Sequence, residues 1–223
     1  MKREVEKEQK LPAFALTGPE LELLWGRLNE LFEPEKPLRS RLHLTLPNEK
    51  LQFDGIDELK SYDRVRGRVT QFEIEFSQES KSISVRSAAP IFRSTATVKA
   101  RADSDVWIAG AINTVQTVVQ PNRAWYWWFV NWPFLLTFFI LSLVPWASSW
   151  LGVVTFKDAS PRVALAWFSV VLLLGFLAFT KDRLLPAAAL IFTDEPNFVR
   201  RYGAEIGLVL GVISIILAIV ALI

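Results

Sequence analysis

The sequence predicts an α+β cytosolic domain, with a small antiparallel sheet and helices on one face, followed by an α-helical membrane domain of three spans. Three observations support this prediction. The hydrophobic residues, 51% of the chain, are concentrated in its second half. Residues 17–123 alternate apolar patterns of helical period with patterns of strand period. Residues 124–223 contain three apolar runs, each about long enough to cross a bilayer.

The N-terminal part is predicted to be a flexible leader, residues 1–16, followed by a helix. The alternative is that the apolar Leu11, Phe14 and Leu16 of the leader dock on the domain. The leader begins with charges of both signs and lacks the apolar segment of a signal peptide. Thr17 and Glu20, with Pro19 between them, form the capping-box pattern that starts a helix. The next apolar residues recur at spacings of three and four, which predicts one buried stripe. They are Leu21, Leu24, Trp25, Leu28, Leu31 and Phe32.

The middle of the domain, residues 17–123, is predicted to be mainly strands. His43, the only histidine, lies on the polar face of the first strand, where a solvated position is favoured over a titratable site. Asp54 is expected to cap a brief helix, and Asp103 or Ser104 is expected to cap a longer one that ends at Pro121. Short polar turns join the last three strands, which favours an antiparallel meander. The strand-like segments are 41–46, 51–53, 69–76, 82–87 and 94–102.

Arginines alternate at positions 64, 66 and 68, just before the third predicted strand. Continuing the strand phase backward would bury Arg64, Arg66 and Arg68, which is costly, so Gly67 is expected to break the strand and leave them on a loop. Such a loop could hold a phosphate, a lipid headgroup or an acidic partner. The alternative is a solvated basic loop balanced by nearby carboxylates. On the outward face, cross-strand ion pairs are expected between Glu73 or Glu75 and Arg86, Lys99 or Arg101.

Composition argues against several classes of function. The chain has 25 Lys and Arg against 23 Asp and Glu, so bulk nucleic-acid binding is not expected. It has no cysteine and one histidine, so neither a disulfide framework nor a zinc site is expected. It also lacks a glycine-rich phosphate loop and a nucleophile elbow. The expectation is a protein that is not an enzyme and binds no cofactor.

Residues 124–223 predict a transmembrane domain with spans at about 125–146, 163–180 and 204–223. Tryptophans cluster at both ends of the first span, as expected for rings that anchor a helix at the lipid–water interface. Residues 184–192 are too short to cross and are predicted to lie against the membrane. The predicted interface anchors are Trp125, Trp127, Trp128, Trp132, Trp146 and Trp150.

The charges of the loops predict the orientation of these spans. The second loop, 181–203, is richer in Lys and Arg than the first, 155–162, which places the second loop and the N-terminal domain in the cytoplasm. The predicted location is therefore a cell membrane, of bacterial inner-membrane type. A two-span hairpin, with the last apolar run only peripheral, is the alternative.

Gly203, Gly207 and Gly211 form a stripe that would let another helix approach closely. It predicts self-association or a membrane protein partner, and packing within the chain is the alternative. The leading functional hypothesis is a non-enzymatic integral membrane protein whose cytosolic domain binds a ligand or partner. In architecture alone this plan resembles bacterial membrane-anchored accessory or defence effectors. A membrane-permeabilising or channel-forming oligomer is the alternative, and an embedded lipid enzyme is a third hypothesis. The expected partners include the lipid bilayer but not nucleic acid.

Overall fold

The structure is a computed structural model that describes residues 5–62, 64–88, 95–128, 132–133, 136–143, 167–177 and 185–192 and the glycines at 203, 207 and 211. The chain divides into two compact units. Unit 1 comprises Met1–Val130 and Pro186–Asp194, and unit 2 comprises Asn131–Leu185 and Glu195–Ile223. Unit 1 is therefore built from two separate parts of the sequence.

A six-stranded antiparallel sheet dominates unit 1. Its strand order is β1-β8-β7-β6-β3-β4, so the hairpin-connected strands β6, β7 and β8 lie side by side as the meander pattern predicted. Inward residues of these strands are buried and, apart from Gln78 and Ser87, apolar, which agrees with their alternating patterns. The strands are β1 (Val5–Lys10), β3 (Arg39–Thr45), β4 (Lys50–Phe53), β6 (Gln71–Gln78), β7 (Lys81–Ala88) and β8 (Thr95–Ala102).

A second sheet of three strands, in the order β2-β9-β5, completes unit 1. Its central strand β9 (Ala188–Ile191) runs parallel to β2 (Phe14–Thr17) and antiparallel to β5 (Arg68–Val69). Ala188, Ala189 and Leu190 are completely buried in it. The prediction that residues 184–192 lie against a membrane is wrong, because this short apolar run is covered on both sides by strands of its own chain.

Three helices of unit 1 are described from end to end. The first, α1 (Gly18–Asn29), begins at the predicted capping box, where the Glu20 carboxylate accepts a hydrogen bond from the Thr17 backbone nitrogen at 2.6 Å. The short helix α2 (Ile56–Ser61) is capped by Gly55 and not by Asp54 as predicted. The third, α3 (Asp105–Val119), starts at the predicted cap Ser104, whose side chain accepts from the Trp107 backbone.

The buried stripes of α1 and α3 and the inward residues of the strands form one hydrophobic core. Phe76 of β6, fully buried, contacts Trp25 of α1 edge-on with ring centroids 4.7 Å apart. Phe32 stacks on the same ring at 6.2 Å, and Trp107 of α3 meets Phe32 at 5.5 Å. These aromatic contacts join both long helices to the sheet.

The predicted flexible leader is not observed in the described residues. Residues 5–10 pair with residues 97–102 of β8 as the edge strand β1, and residues 14–17 form β2. The polar sequence of β1 concealed it, because an edge strand exposes side chains on both of its faces. Its burial pattern shows one half-buried residue, Val5, and five exposed ones.

Unit 2 is described only in part, with helical residues at 136–143 and 167–177. Both stretches expose large apolar side chains, among them Leu136, Phe139, Leu172 and Phe176. Within the described residues, no helix combines the length and apolarity that crossing a membrane requires. Most of the span 204–223 and parts of the other two predicted spans lie outside the described residues.

The predicted fold class, a small sheet domain followed by three spans, is therefore wrong. The protein is an α+β fold with a large six-stranded antiparallel sheet and few helices. The predictions of an integral membrane protein, of a channel-forming oligomer and of location in a cell membrane depended on those spans and fall with them. The first predicted span also begins inside the core of unit 1, where Tyr126 is only 1% exposed.

Candidate functional site

The face of the six-stranded sheet opposite its buried side is lined by polar residues, and we call it the open sheet face. It forms a shallow concavity of about 870 Å³ centred on β6, β7 and β8. Strand alternation explains its composition, since residues next to each buried apolar one point to this side. Its charged and hydroxyl residues include Glu6, Glu8, His43, Glu73, Glu75, Ser82, Ser84, Arg86, Thr97, Lys99 and Arg101.

Small side chains form the floor of the concavity at one end of β7. Ser82 lies there between Ser77 of β6 and Arg101 of β8, and Ser84 follows two residues later on the same side of the strand. Ser84 is paired with Glu75 of β6 on one side and with Lys99 of β8 on the other. The floor is therefore a trough with a carboxylate along one edge and an ammonium group along the other.

Further along β7, the next residue on this side of the strand is Arg86, a long side chain where the two before it are serines. It lies between Glu73 of β6 and Thr97 of β8, and Glu73 is in turn paired with His43 of β3. Of the cross-strand neighbours that were predicted for Glu73 and Glu75, Arg86 lies opposite Glu73, whereas Glu75 faces Ser84. The Glu73 and Arg86 side chains nevertheless form no ion pair within 4.0 Å among the described residues, and the same holds for Glu75.

Few of the charged side chains on the open sheet face form ion pairs with one another among the described residues. Lys99 binds the Glu6 carboxylate of β1 at 2.9 Å, with about half of each side chain exposed. Because exposed pairs of this kind contribute little to stability, this contact can be exchanged for one with a ligand at small cost. Within the described part of the chain, the open sheet face thus presents Glu73, Glu75 and Arg86 without ion-pair partners and Lys99 with a weak one.

The predicted anion site at Arg64, Arg66 and Arg68 is split by the fold. Arg64 and Arg66 are exposed, while Arg68 is half-buried at the start of β5. The Arg68 Nη2 donates a hydrogen bond of 2.8 Å to the hydroxyl of Tyr126. Gly67, which has a φ of 85°, directly precedes β5, and Thr70 separates β5 from β6, so the predicted strand 69–76 is divided between the two sheets. Anion binding at this loop stays a prediction, with Arg64 and Arg66 as the exposed candidates.

The predicted interface anchors are placed in varied surroundings. Trp125, Trp128 and Trp132 are about half exposed. Trp127 lies under the Arg123 guanidinium, 3.9 Å from its ring centroid. Trp146 and Trp150 lie outside the described residues.

The predicted packing glycines, Gly203, Gly207 and Gly211, are helical and exposed. A Cβ added at any of them would meet no atom within 4 Å. The described residues therefore show no helix against this stripe, and self-association through it stays a prediction.

Two features escaped the sequence reasoning. The open sheet face was visible as alternation, and helices were predicted on one face of the sheet only, but the charges of the other face were assigned to internal ion pairs and not to a binding surface. Strand β9 was hidden because four apolar residues following a proline give no periodic signal. Within the described part of the chain, no group of three or more His, Cys, Asp or Glu is placed to hold a metal ion.

Comparison of the chain with protein-family models, with curated proteins and with solved structures finds no match.

Proposed function

We propose that this protein is a non-enzymatic interaction module whose open sheet face binds an extended polypeptide segment carrying charges of both signs. The observation that carries the proposal is the trough over β7, floored by Ser82 and Ser84 and edged by Glu75 and Lys99. Complementary charge on a partner would steer its approach and fix its register along the strands.

The dimensions of the trough suit an extended chain. Strands β6 and β8 are two inter-strand spacings apart, about 10 Å, which leaves room for one extended chain above β7. A segment lying over β7 would bring its basic side chains to Glu73 and Glu75 and its acidic ones to Lys99 and Arg101. Serine and threonine hydroxyls on the floor can both donate and accept hydrogen bonds, so they suit varied polar groups.

Other classes of ligand fit this surface less well. Sites for small molecules usually enclose most of the ligand, whereas this concavity is shallow and open. Nucleic acids are disfavoured because four carboxylates, those of Glu6, Glu8, Glu73 and Glu75, face the same side and would repel phosphates. A polypeptide with both charges satisfies the cations and the carboxylates together.

The test uses short synthetic peptides of three kinds, one of mixed charge, one acidic and one basic, titrated into the full chain. We expect the mixed-charge peptide to shift the amide resonances of β6, β7 and β8 and to bind more weakly at high salt. Replacing Ser84 by Tyr should weaken this binding at least about tenfold, equivalent to about 1.4 kcal/mol, because the ring fills the trough.

The matched control is Gln52→Tyr. Gln52 is paired with His43 and points to the same side of the sheet, but it lies on the edge strand β4 outside the concavity. The Gln52→Tyr variant should bind the mixed-charge peptide with the same affinity as the wild type. The proposal is refuted if no peptide perturbs the resonances of β6 to β8, or if the two tyrosine variants bind with equal affinity.

A further inference from the structure

A second pocket lies beside the concavity, where β3 begins and β6 ends, and we call it the arginine pocket. It has a volume of about 610 Å³, and its charged and hydroxyl lining includes Arg39, Arg41, Asp54, Ser77 and Glu79. Arg39 and Arg41 alternate with the buried side of β3, so both side chains point to the open sheet face.

Neither arginine of the pocket has a hydrogen bond or an ion pair among the described residues. Arg39 is exposed, whereas Arg41 is half-buried, and its Nε is buried without an acceptor. A buried donor without an acceptor costs free energy, so folded proteins contain few of them. Packing around Nε also restricts the Arg41 side chain, which reduces the entropy that it loses when its outer nitrogens bind a ligand.

The charges around the arginine pocket favour a ligand with a single negative charge. Glu79 is already in an ion pair with Lys36 at 3.2 Å. The Asp54 carboxylate has no ion pair in the described part of the chain, so its charge offsets that of one arginine. The remaining positive charge suits a carboxylate better than a dianionic phosphate. A guanidinium group donates two parallel hydrogen bonds to the oxygens of a carboxylate.

The register of the sheet connects the arginine pocket to the trough over β7. Ser82, on the floor of the trough, is paired with Ser77 of β6, and Ser77 is paired with Arg39 of β3. The short Ser77 side chain therefore lies between the trough and the pocket in this row, whereas the longer Glu75 lies between them in the next. Strands β7 and β3 are two inter-strand spacings apart, about 10 Å, which about three extended residues span.

We propose that Arg39 and Arg41 bind a carboxylate of the polypeptide segment that occupies the trough, and that this contact anchors one end of the segment. Such anchoring rests on the proposed function, because the trough brings the segment to the pocket across Ser77. The carboxylate belongs either to the C-terminus of the segment or to an acidic side chain, since both present the same two oxygens. Anchoring at one end fixes the direction in which the segment runs along β7.

The first test titrates N-acetylglycine, which carries one carboxylate and no other charge, into the full chain. We expect it to shift the Nε–Hε NMR resonance of Arg41, which is assigned through its loss in Arg41→Gln. N-acetylglycinamide has a similar size without the charge and should leave this resonance unchanged. The Nε–Hε resonance of Arg27, an exposed arginine of α1 outside the pocket, should not respond to either compound. The carboxylate site is refuted if N-acetylglycine shifts neither the Arg41 nor the Arg39 resonance, or if the amide shifts them equally.

The second test compares three forms of the mixed-charge peptide: with a free C-terminus, with an amidated C-terminus, and with its acidic side chains replaced by amides. Arg41→Gln should weaken binding of the first form about tenfold, because a charge-assisted pair of hydrogen bonds is lost, and Arg39→Gln should weaken it in the same direction. The peptide change that removes the anchoring carboxylate should have no further effect in Arg41→Gln, which identifies the source of that carboxylate. Arg27→Gln is the matched control and should bind as the wild type does.

Failure of the anchor can be distinguished from failure of the proposed function. If peptides perturb β6 to β8 but Arg39→Gln, Arg41→Gln and Arg27→Gln bind them with equal affinity, the trough binds a polypeptide and the anchor is refuted. If no peptide perturbs these strands while N-acetylglycine still shifts the Arg41 resonance, the proposed function and the anchoring role are refuted together, and the carboxylate site stands.

Discussion

Replacing Gln78 by Leu should destabilise unit 1 through backbone groups that the change leaves unpaired. Gln78 ends β6 and is 3% exposed. Its Oε1 accepts from the Glu33 nitrogen at 3.1 Å, and its Nε2 donates to the backbone oxygens of Glu33 at 2.8 Å and of Lys36 at 3.0 Å. One side chain thus holds the turn that links α1 to β3.

The expected magnitude follows from these three hydrogen bonds. Each contributes about 0.5–1.5 kcal/mol net, so their loss amounts to about 1.5–4.5 kcal/mol. Leucine keeps most of the volume, and water can reach part of the turn because the Glu33 and Lys36 side chains are exposed, so we expect about 2 kcal/mol. Native-state hydrogen exchange at the buried amides of β6 and β7 measures this free energy of unfolding.

Gln71→Leu is the control for this experiment. Gln71 lies on the same strand, faces the concavity and makes no side-chain hydrogen bond among the described residues. Its substitution should change stability by less than about 0.5 kcal/mol. If Gln78→Leu falls within the same range, the turn is not held by Gln78 and the reasoning is refuted.

Two further predictions concern the turns beside the sheet. Hydrogen bonds from Lys36 and Lys81 lower the pKa of the Glu33 carboxyl from 4.5 to about 2. The ionised carboxylate therefore stabilises the fold fully above pH 4.5, and this stabilisation is lost as the pH falls toward 2. A carboxyl NMR titration checks this, and Lys36→Gln should raise the midpoint. Glu79→Gly should stabilise unit 1 by about 1 kcal/mol, because Glu79 has a φ of 51° in the β6–β7 turn and loses only an exposed ion pair with Lys36. A lower urea midpoint for Glu79→Gly would contradict this.

Local patterns in the sequence determined most elements of unit 1. The capping box at Thr17 and Glu20, the cap at Ser104 and the alternation of β6 to β8 each depend on neighbours in the chain, and each is found where the pattern put it. Short-range geometry is sufficient for such elements, since a helix start or a strand face is decided within a few residues.

Only the tertiary structure decided which surfaces those elements would cover. The polar residues 5–10 became an edge strand because β8 offered a free edge, and Tyr126 entered the core because Arg68 and Pro186 supply partners for its hydroxyl.

The apolar second half shows the same limit most clearly. The hydrophobicity of a segment predicts that it is buried away from water. It does not predict whether lipid or the protein's own core surrounds it, because both are apolar. Residues 188–190 exchange water for contacts with strands β2 and β5, which lie more than a hundred residues earlier in the chain. The sequence by itself determined that this segment would be buried, and its partners were decided by long-range backbone pairing that no local pattern encodes.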